Sequence, residues 1–260
     1  MHLSRRELLH RAGLVIAGHA GLFGTTHPAF AQTQKPVEFQ RIRLRTSKLG
    51  EMRDYYATTL GLPTTLEGGV LTVASGKSTL EFTAAAPGTN PYYHFAFNIP
   101  ENKLAASMEW LRPRCPIFKS PDGREVYNFA NWNAHSCYFH DPAGNILEFI
   151  ARHTLSNAAA GSFDVRDILN VSEIALVAPA LPAIAEKLKS DLGVRDYPGT
   201  SSGFMPIGNE HGLFILMSSG RAMLGGTALA EQHPVEVRVR DDRRQRLTWE
   251  GMPFLVESGG

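Results

Sequence analysis

Cysteine is nearly absent from this chain: Cys115 and Cys137 are the only two in 260 residues. An oxidising compartment would permit a bridge between them, but a bridge needs Cβ atoms within a few ångströms, which spacing alone does not establish. Cys137 lies in an apolar stretch and reads as a small buried hydrophobe. Net charge is equally scarce. Lysine and arginine total 26 against 25 acidic residues, a formal charge of +1, so nothing global points to nucleic acid or an anionic membrane as partner. Long hydrophobic runs are missing too. The apolar run at residues 12–23 is interrupted by glycines and a histidine and is too short for a stable span. What is present is ordinary for a soluble globular chain, 43% hydrophobic and 20% charged residues, with length enough for a sizeable core or two small domains.

The first residues read as a leader. Ser4-Arg5-Arg6-Glu7-Leu8-Leu9 resembles the twin-arginine export motif, and Ala29-Phe30-Ala31 fits a small-x-small cleavage site. Residues 1–31 are therefore expected to be a signal peptide, with a mature start near Gln32. Its removal takes away Arg5, Arg6, Arg11 and Glu7 and turns the net charge slightly negative. The resemblance implies a periplasmic protein that folds before export and makes no membrane contact after cleavage.

The rest of the chain repeats one pattern. Residues 39–46 alternate strictly, with Ile42 and Leu44 on one side and Arg41, Arg43 and Arg45 on the other, the mark of a half-buried strand. Met52, Tyr55, Tyr56 and Leu60 recur at helical spacing, and Gly61-Leu62-Pro63 stops the helix. Two strands follow at 70–74 and 78–83. The order recurs with a strand at 92–99, a helix at 101–111, a strand at 126–132 and a hairpin of 137–139 with 146–150. A linker at 154–164, rich in Ser, Ala and Gly, precedes a third unit: a strand at 171–177, a helix at 181–192 and strands at 203–207 and 212–217. A polar hairpin at 235–240 and 246–249 ends the chain. An internal repeat of this kind sets the fold before any single element does.

The hairpin turn is the most distinctive stretch. Asp141-Pro142-Ala143-Gly144-Asn145 is dense in turn formers. Residues 146–150 are then apolar at every position except Glu148, and a lone carboxylate in such a strand needs a cation, a metal or water. Phe139-His-Asp-Pro-Ala-Gly-Asn-Ile-Leu-Glu148 resembles the closing hairpin of a module in the vicinal oxygen chelate superfamily, as Tyr55-Tyr56-x-x-x-Leu60-Gly61-Leu62 resembles the end of its first helix. Members include glyoxalase I, extradiol ring-cleaving dioxygenases, and fosfomycin and bleomycin resistance proteins. The resemblance implies an α+β fold of repeated βαβββ modules. Two of them would form a cup (residues 38–153), and a third, accessory module with the C-terminal hairpin would follow (residues 164–250). The leftover half-cup closes with that hairpin or pairs across a homodimer.

The superfamily places its metal ligands on the first and last strand of each paired module. Carried onto this chain, those positions are Arg41, Glu81, His94 and Glu148. Strand alternation agrees that Glu81, His94 and Glu148 oppose the apolar faces of their strands. Imidazole with carboxylates suits Fe, Zn, Mn, Ni or Co; guanidinium has no lone pair to offer. Two readings follow. In one, Glu81, His94 and Glu148 hold one divalent metal, Glu81 and Glu148 are the catalytic carboxylates, and Arg41 orients an anionic substrate. In the other, Arg41 neutralises a carboxylate and the pocket is metal-free. Tyr92, Trp132 and Asn98 are candidate substrate contacts, and His140 stands at the rim. In the third unit Glu173 takes a first-strand position, but Phe214 falls where a last-strand Glu would be, so the unit reads as structural. The expected function is a metal-dependent lyase, isomerase or dioxygenase acting on a small oxygenated compound. The alternative is a metal-free periplasmic binding or sequestering protein of the bleomycin-resistance type.

Overall fold

The computed structural model describes residues 37–224 and 228–259, and all of them fall within one compact unit. The expected leader at 1–31 lies outside the described residues. Four strand groups follow the repeat seen in the sequence. The first holds β1 (Phe39–Thr46), β2 (Thr64–Glu67), β3 (Val70–Ser75) and β4 (Ser78–Ala84). The second holds β5 (His94–Ile99), β6 (Tyr127–Phe129), β7 (Ala134–His140) and β8 (Ile146–Arg152). The third holds β9 (Asn170–Ala178), β10 (Phe204–Asn209) and β11 (Gly212–Ser218), followed by a short hairpin of β12 (Ala222–Met223) and β13 (Ala228–Leu229). The last holds β14 (Val235–Val239), β15 (Gln245–Thr248) and β16 (Phe254–Ser258). Helices α1 (Leu49–Asp54, continued by a π turn), α2 (Leu104–Leu111) and α3 (Leu181–Leu192) follow the first strands of the first three groups.

The strands form two seven-stranded sheets with orders β15-β16-β14-β1-β4-β3-β2 and β10-β11-β9-β5-β8-β7-β6. The second and third groups share one sheet through the antiparallel β5–β9 pair, and the first group shares the other with the C-terminal strands through β1–β14. Residues 38–153, expected to form one cup, are thus divided between the two sheets. Chain proximity favoured joining the first two groups. The observed pairing is otherwise: β1 and β5 each take an antiparallel neighbour from later in the chain, β14 and β9. The terminal strands thus close the first half-cup within the chain, without a second copy.

The helix-side faces of both sheets share one core. Ile42, Leu44, Leu80 and Phe82 of one sheet and Phe95, Phe97, Phe139 and Phe149 of the other are fully buried in it. The opposite faces differ. In β1 and β4 buried and half-buried residues alternate, whereas β5, β8 and β9 are buried at every position. A separate apolar cluster containing Trp132, Tyr138, Ile150, Val177, Ile215 and Met217 fills the inner face of the β5–β9 sheet.

Two local devices fix this arrangement. Gly76, at φ +55°, carries the β3–β4 turn so close to Leu169 that an added Cβ would lie 1.9 Å from the Leu169 carbonyl oxygen, and only glycine tolerates that approach. The Asp141 carboxylate organises the β7–β8 turn. It accepts from the backbone N–H groups of Ala143 and Asn145, from the Asn145 amide at 2.7 Å and from the Tyr56 hydroxyl at 2.9 Å. Burial nevertheless pushes its pKa up to about 6. Asn145 then accepts from the Tyr93 N–H at 2.8 Å, and the Ile146 N–H donates to the Tyr93 carbonyl. The signature turn is thereby docked on the start of β5, which brings His94 level with Ile146.

Candidate metal centre

That docking decides the site. With His94 opposite Ile146, Ala96 falls opposite Glu148 on the parallel β8, and the antiparallel β9 places Glu173 opposite Ala96 from the other side. His94, Glu148 and Glu173 each present a ligand atom within 4.8 Å of one another, and all three are buried. The alanine between them leaves the space into which they project.

Each donor is prepared. His94 Nδ1 lies 3.0 Å from the Ile146 carbonyl. A carbonyl only accepts, so Nδ1 carries the proton and the Nε2 lone pair faces Glu148 Oε2 at 3.5 Å. Burial, partly opposed by that hydrogen bond, holds the His94 pKa down to about 4, so the imidazole is neutral. Glu148 is 1% exposed, and its Oε1 has no hydrogen-bond partner among the described residues. Burial first, and then the charge of Glu173, push its pKa well above the usual carboxylate range. Glu173 is also raised by burial, opposed by Arg152, whose guanidinium donates to its carboxylate. Arg152 is fully buried. It donates further to Asn98 Oδ1 at 3.2 Å and to the Tyr197 hydroxyl at 3.5 Å, and Tyr197 donates to Glu210 at 3.3 Å. The group fits a divalent cation: one neutral imidazole, two carboxylates, and a buried carboxylate oxygen with nothing to bind.

A cavity of about 190 Å³ opens onto these residues, with Trp132, Tyr138, Phe204 and Ile215 among its walls. Trp132 donates from Nε1 to the Pro198 carbonyl at 2.6 Å and stacks on Phe129, which holds its ring as a wall. Burial, and next the charge of Glu148, raise the Tyr138 phenol, so it stays protonated.

Of the residues singled out from sequence, His94, Glu148 and Trp132 are brought together here. Glu81 and Arg41 are not; both belong to the other sheet, where Arg43 Nε donates to Glu81 Oε2 at 2.7 Å and Arg41 Nε lies 3.8 Å from the same oxygen. The group that could hold a metal contains Glu173, and Glu81 lies apart from it, because the sheet joins β5 to β9 and not to β4. Asn98 stands behind the site, holding Arg152, and does not line the cavity. Tyr92 also lies outside its lining, with its hydroxyl on the Leu229 carbonyl and its ring edge-on to His233. His140 is exposed, 3.2 Å from the Asn145 carbonyl.

Register also moves the fourth ligand position. Ile215 lies opposite Ala175 as Glu148 lies opposite Ala96, so Ile215 takes the place assigned to Phe214, which packs on Phe39 in the core. Sequence reasoning placed Glu173 at a first-strand position but read its unit as structural, and it passed over Arg152, Tyr197 and Arg221. A signal for Glu173 was present: it is the one charged residue in β9, as Glu148 is the one carboxylate in β8.

No protein-family model matches the chain, and no curated protein does. Solved structures do. A Bacillus subtilis protein named provisionally as a dioxygenase superposes with a TM-score of 0.57 at 15% identity, over 86% of this chain and 86% of its own. Glyoxalase I of Zea mays superposes with a TM-score of 0.50 at 14% identity, over 85% of this chain and 92% of its own, and a mutant of it with a TM-score of 0.52. These neighbours belong to the vicinal oxygen chelate superfamily. At such identities the likeness establishes the fold, a mixed α+β arrangement of two curled sheets, and leaves the reaction to be argued from the site.

Proposed function

We propose that this chain is a divalent-metal enzyme of the vicinal oxygen chelate type that moves a proton on a small oxygenated substrate, with His94, Glu148 and Glu173 as the ligands. The observation that carries the reading is the unpartnered Oε1 of Glu148, buried between a neutral histidine and a second carboxylate at the end of a cavity. Leaving such an atom unsatisfied costs about 1–3 kcal/mol or more, which a bound cation or substrate would recover.

When bound, the ion supplies Lewis acidity to substrate oxygens, and imidazole with carboxylates suits Zn, Fe, Mn, Ni or Co. The chain's own groups divide the remaining work. Arg152 donates to Glu173 and favours its charged form against burial, which suits Glu173 to a ligand's role. Glu148 lacks a direct ion pair with an arginine; burial and the charge of Glu173 raise its pKa, opposed by Ser136, Arg152 and Tyr138, and in its ionised form it is the carboxylate placed to take a proton from carbon beside a carbonyl and return it elsewhere. Tyr138, held protonated, is a donor beside it. The aromatic walls exclude water and orient the substrate.

A second reading has its own support. Arg152 already neutralises Glu173, so a protonated Glu148 would leave the group without net charge and without need of metal. The protein would then bind or sequester a small molecule. Elemental analysis of protein purified without chelators separates the two. The enzyme reading expects about one equivalent of a divalent metal, lost in His94→Ala and Glu148→Gln with the fold retained by circular dichroism. No metal after reconstitution selects the binding reading, and unchanged metal content in His94→Ala rejects the ligand set.

The proposal extends to location. Ser4-Arg5-Arg6 and Ala29-Phe30-Ala31 support export by the twin-arginine route and action in the periplasm. Cell fractionation with an Arg5→Lys, Arg6→Lys variant tests it: the variant is expected to stay in the cytoplasm.

A further inference from the structure

Away from the three ligands the cavity is apolar and aromatic, with Phe129, Trp132, Phe204 and Met217 among its walls, yet Arg221 also lines it. Arg221 is held in place without being neutralised. Its Nη1 donates to the Ser202 carbonyl at 2.8 Å, and its guanidinium carbon lies 5.6 Å from the centroid of the Phe204 ring. Neither contact is to a carboxylate. Arg221 is exposed and has no carboxylate partner among the described residues, so donors of its planar guanidinium remain open to an incoming planar oxyanion in place of water. The other guanidinium near the site, Arg152, is committed to Glu173, Asn98 and Tyr197. Among the described residues lining the cavity, Arg221 is the cation without a carboxylate partner that an entering anion meets. Glu148 and Glu173 line the same cavity.

We infer that the ligand of this cavity is an organic acid: an apolar, aromatic-sized body with a carboxylate that Arg221 receives, its other end directed at His94, Glu148 and Glu173. The orientation rests on the function proposed above; the selection of an acid by Arg221 does not. Arg221 supplies the anion contact expected from Arg41, which the fold places in the other sheet.

The test is calorimetric titration of the chelator-treated full chain at low salt with two probes of one shape, 4-methylbenzoate and 4-methylbenzamide. The acid is expected to bind about ten-fold or more tighter than the amide, the weight of a charge-assisted hydrogen bond. Arg221→Ala is expected to remove that preference by weakening the acid alone. Arg221→Lys should retain part of it. Amide binding unchanged in Arg221→Ala shows that the cavity is intact. Equal acid affinity in wild type and Arg221→Ala overturns the inference, as does equal binding of acid and amide by the wild type, or binding of neither probe. Metal is absent from the measurement, so failure of the metal reading and failure of this one are seen separately.

Discussion

The two sheets carry the same register and treat charge in opposite ways. In the sheet containing β5, Ala96 stands opposite both Glu148 and Glu173. In the sheet containing β1, the residue flanked in the same way is Arg43, opposite both Glu81 and Glu236. Its guanidinium donates to Glu81 at 2.7 Å and to Glu236 at 3.4 Å. The pairing of Ala175 with Ile215 has its counterpart in Arg238 with Glu257. One sheet therefore answers a pair of facing carboxylates with an arginine from the strand between them. The other places alanine there and keeps space between buried donors. The first solution stays half exposed, with Arg43 and Glu81 side chains 31% and 14% accessible; the second is dry, with Glu148 at 2%. A short central side chain beside buried carboxylates is what distinguishes a binding site from a closed ion-pair lattice.

Removing the cation that serves the buried sheet should hurt most. Arg152→Leu strands Glu173 without a partner, and denaturant midpoints are expected to fall by the equivalent of about 3–5 kcal/mol, with part of the loss recovered on adding a divalent metal. A smaller loss, about 2–3 kcal/mol in metal-free protein, is expected of Ile215→Glu, which gives the buried sheet the carboxylate that Glu257 provides in the other. The same variant should bind metal more tightly, by competition against a chelating dye; weaker binding would remove Ile215 from the fourth position.

The comparison can also be inverted. Arg41→His with Arg43→Ala reproduces the histidine and alanine of the buried site beside Glu81 and Glu236. It is expected to cost about 1–2 kcal/mol, discounted for exposure, and to raise the metal bound per chain. No additional metal would mean that burial, and not the residue set, makes the site. The mildest change is Glu257→Gln, which removes the exposed pair with Arg246 and should shift stability by about 0.5 kcal/mol or less. A larger shift in thermal melting would show that the half-exposed lattice is worth more than its solvation suggests.

Much of this contrast was written in local pattern. The alternation Arg41-Ile42-Arg43-Leu44-Arg45 marks a strand with one charged face, and the unbroken apolar runs around His94, Glu148 and Glu173 mark strands covered on both sides. His94 and Glu148 were legible because the turn between Asp141 and Asn145 docks β8 on β5 within one repeat. Glu81 misled because it obeys the same alternation, and strand periodicity reports which face a residue takes without reporting which sheet it joins.

By itself, then, the sequence determined the repeat, the strand faces, the signature turn and the nearness of His94 to Glu148, since these depend on backbone preferences and side-chain contacts a few tens of residues apart. Tertiary structure alone decided that β5 pairs with β9 and β1 with β14. That choice brought Glu173 beside His94 and Glu148, paired it with Arg152 and left Glu81 to Arg43. The physical reason is that strand edges present much the same backbone hydrogen-bond groups whatever their side chains. Partner choice is settled by how the whole set of faces packs, which no local stretch encodes.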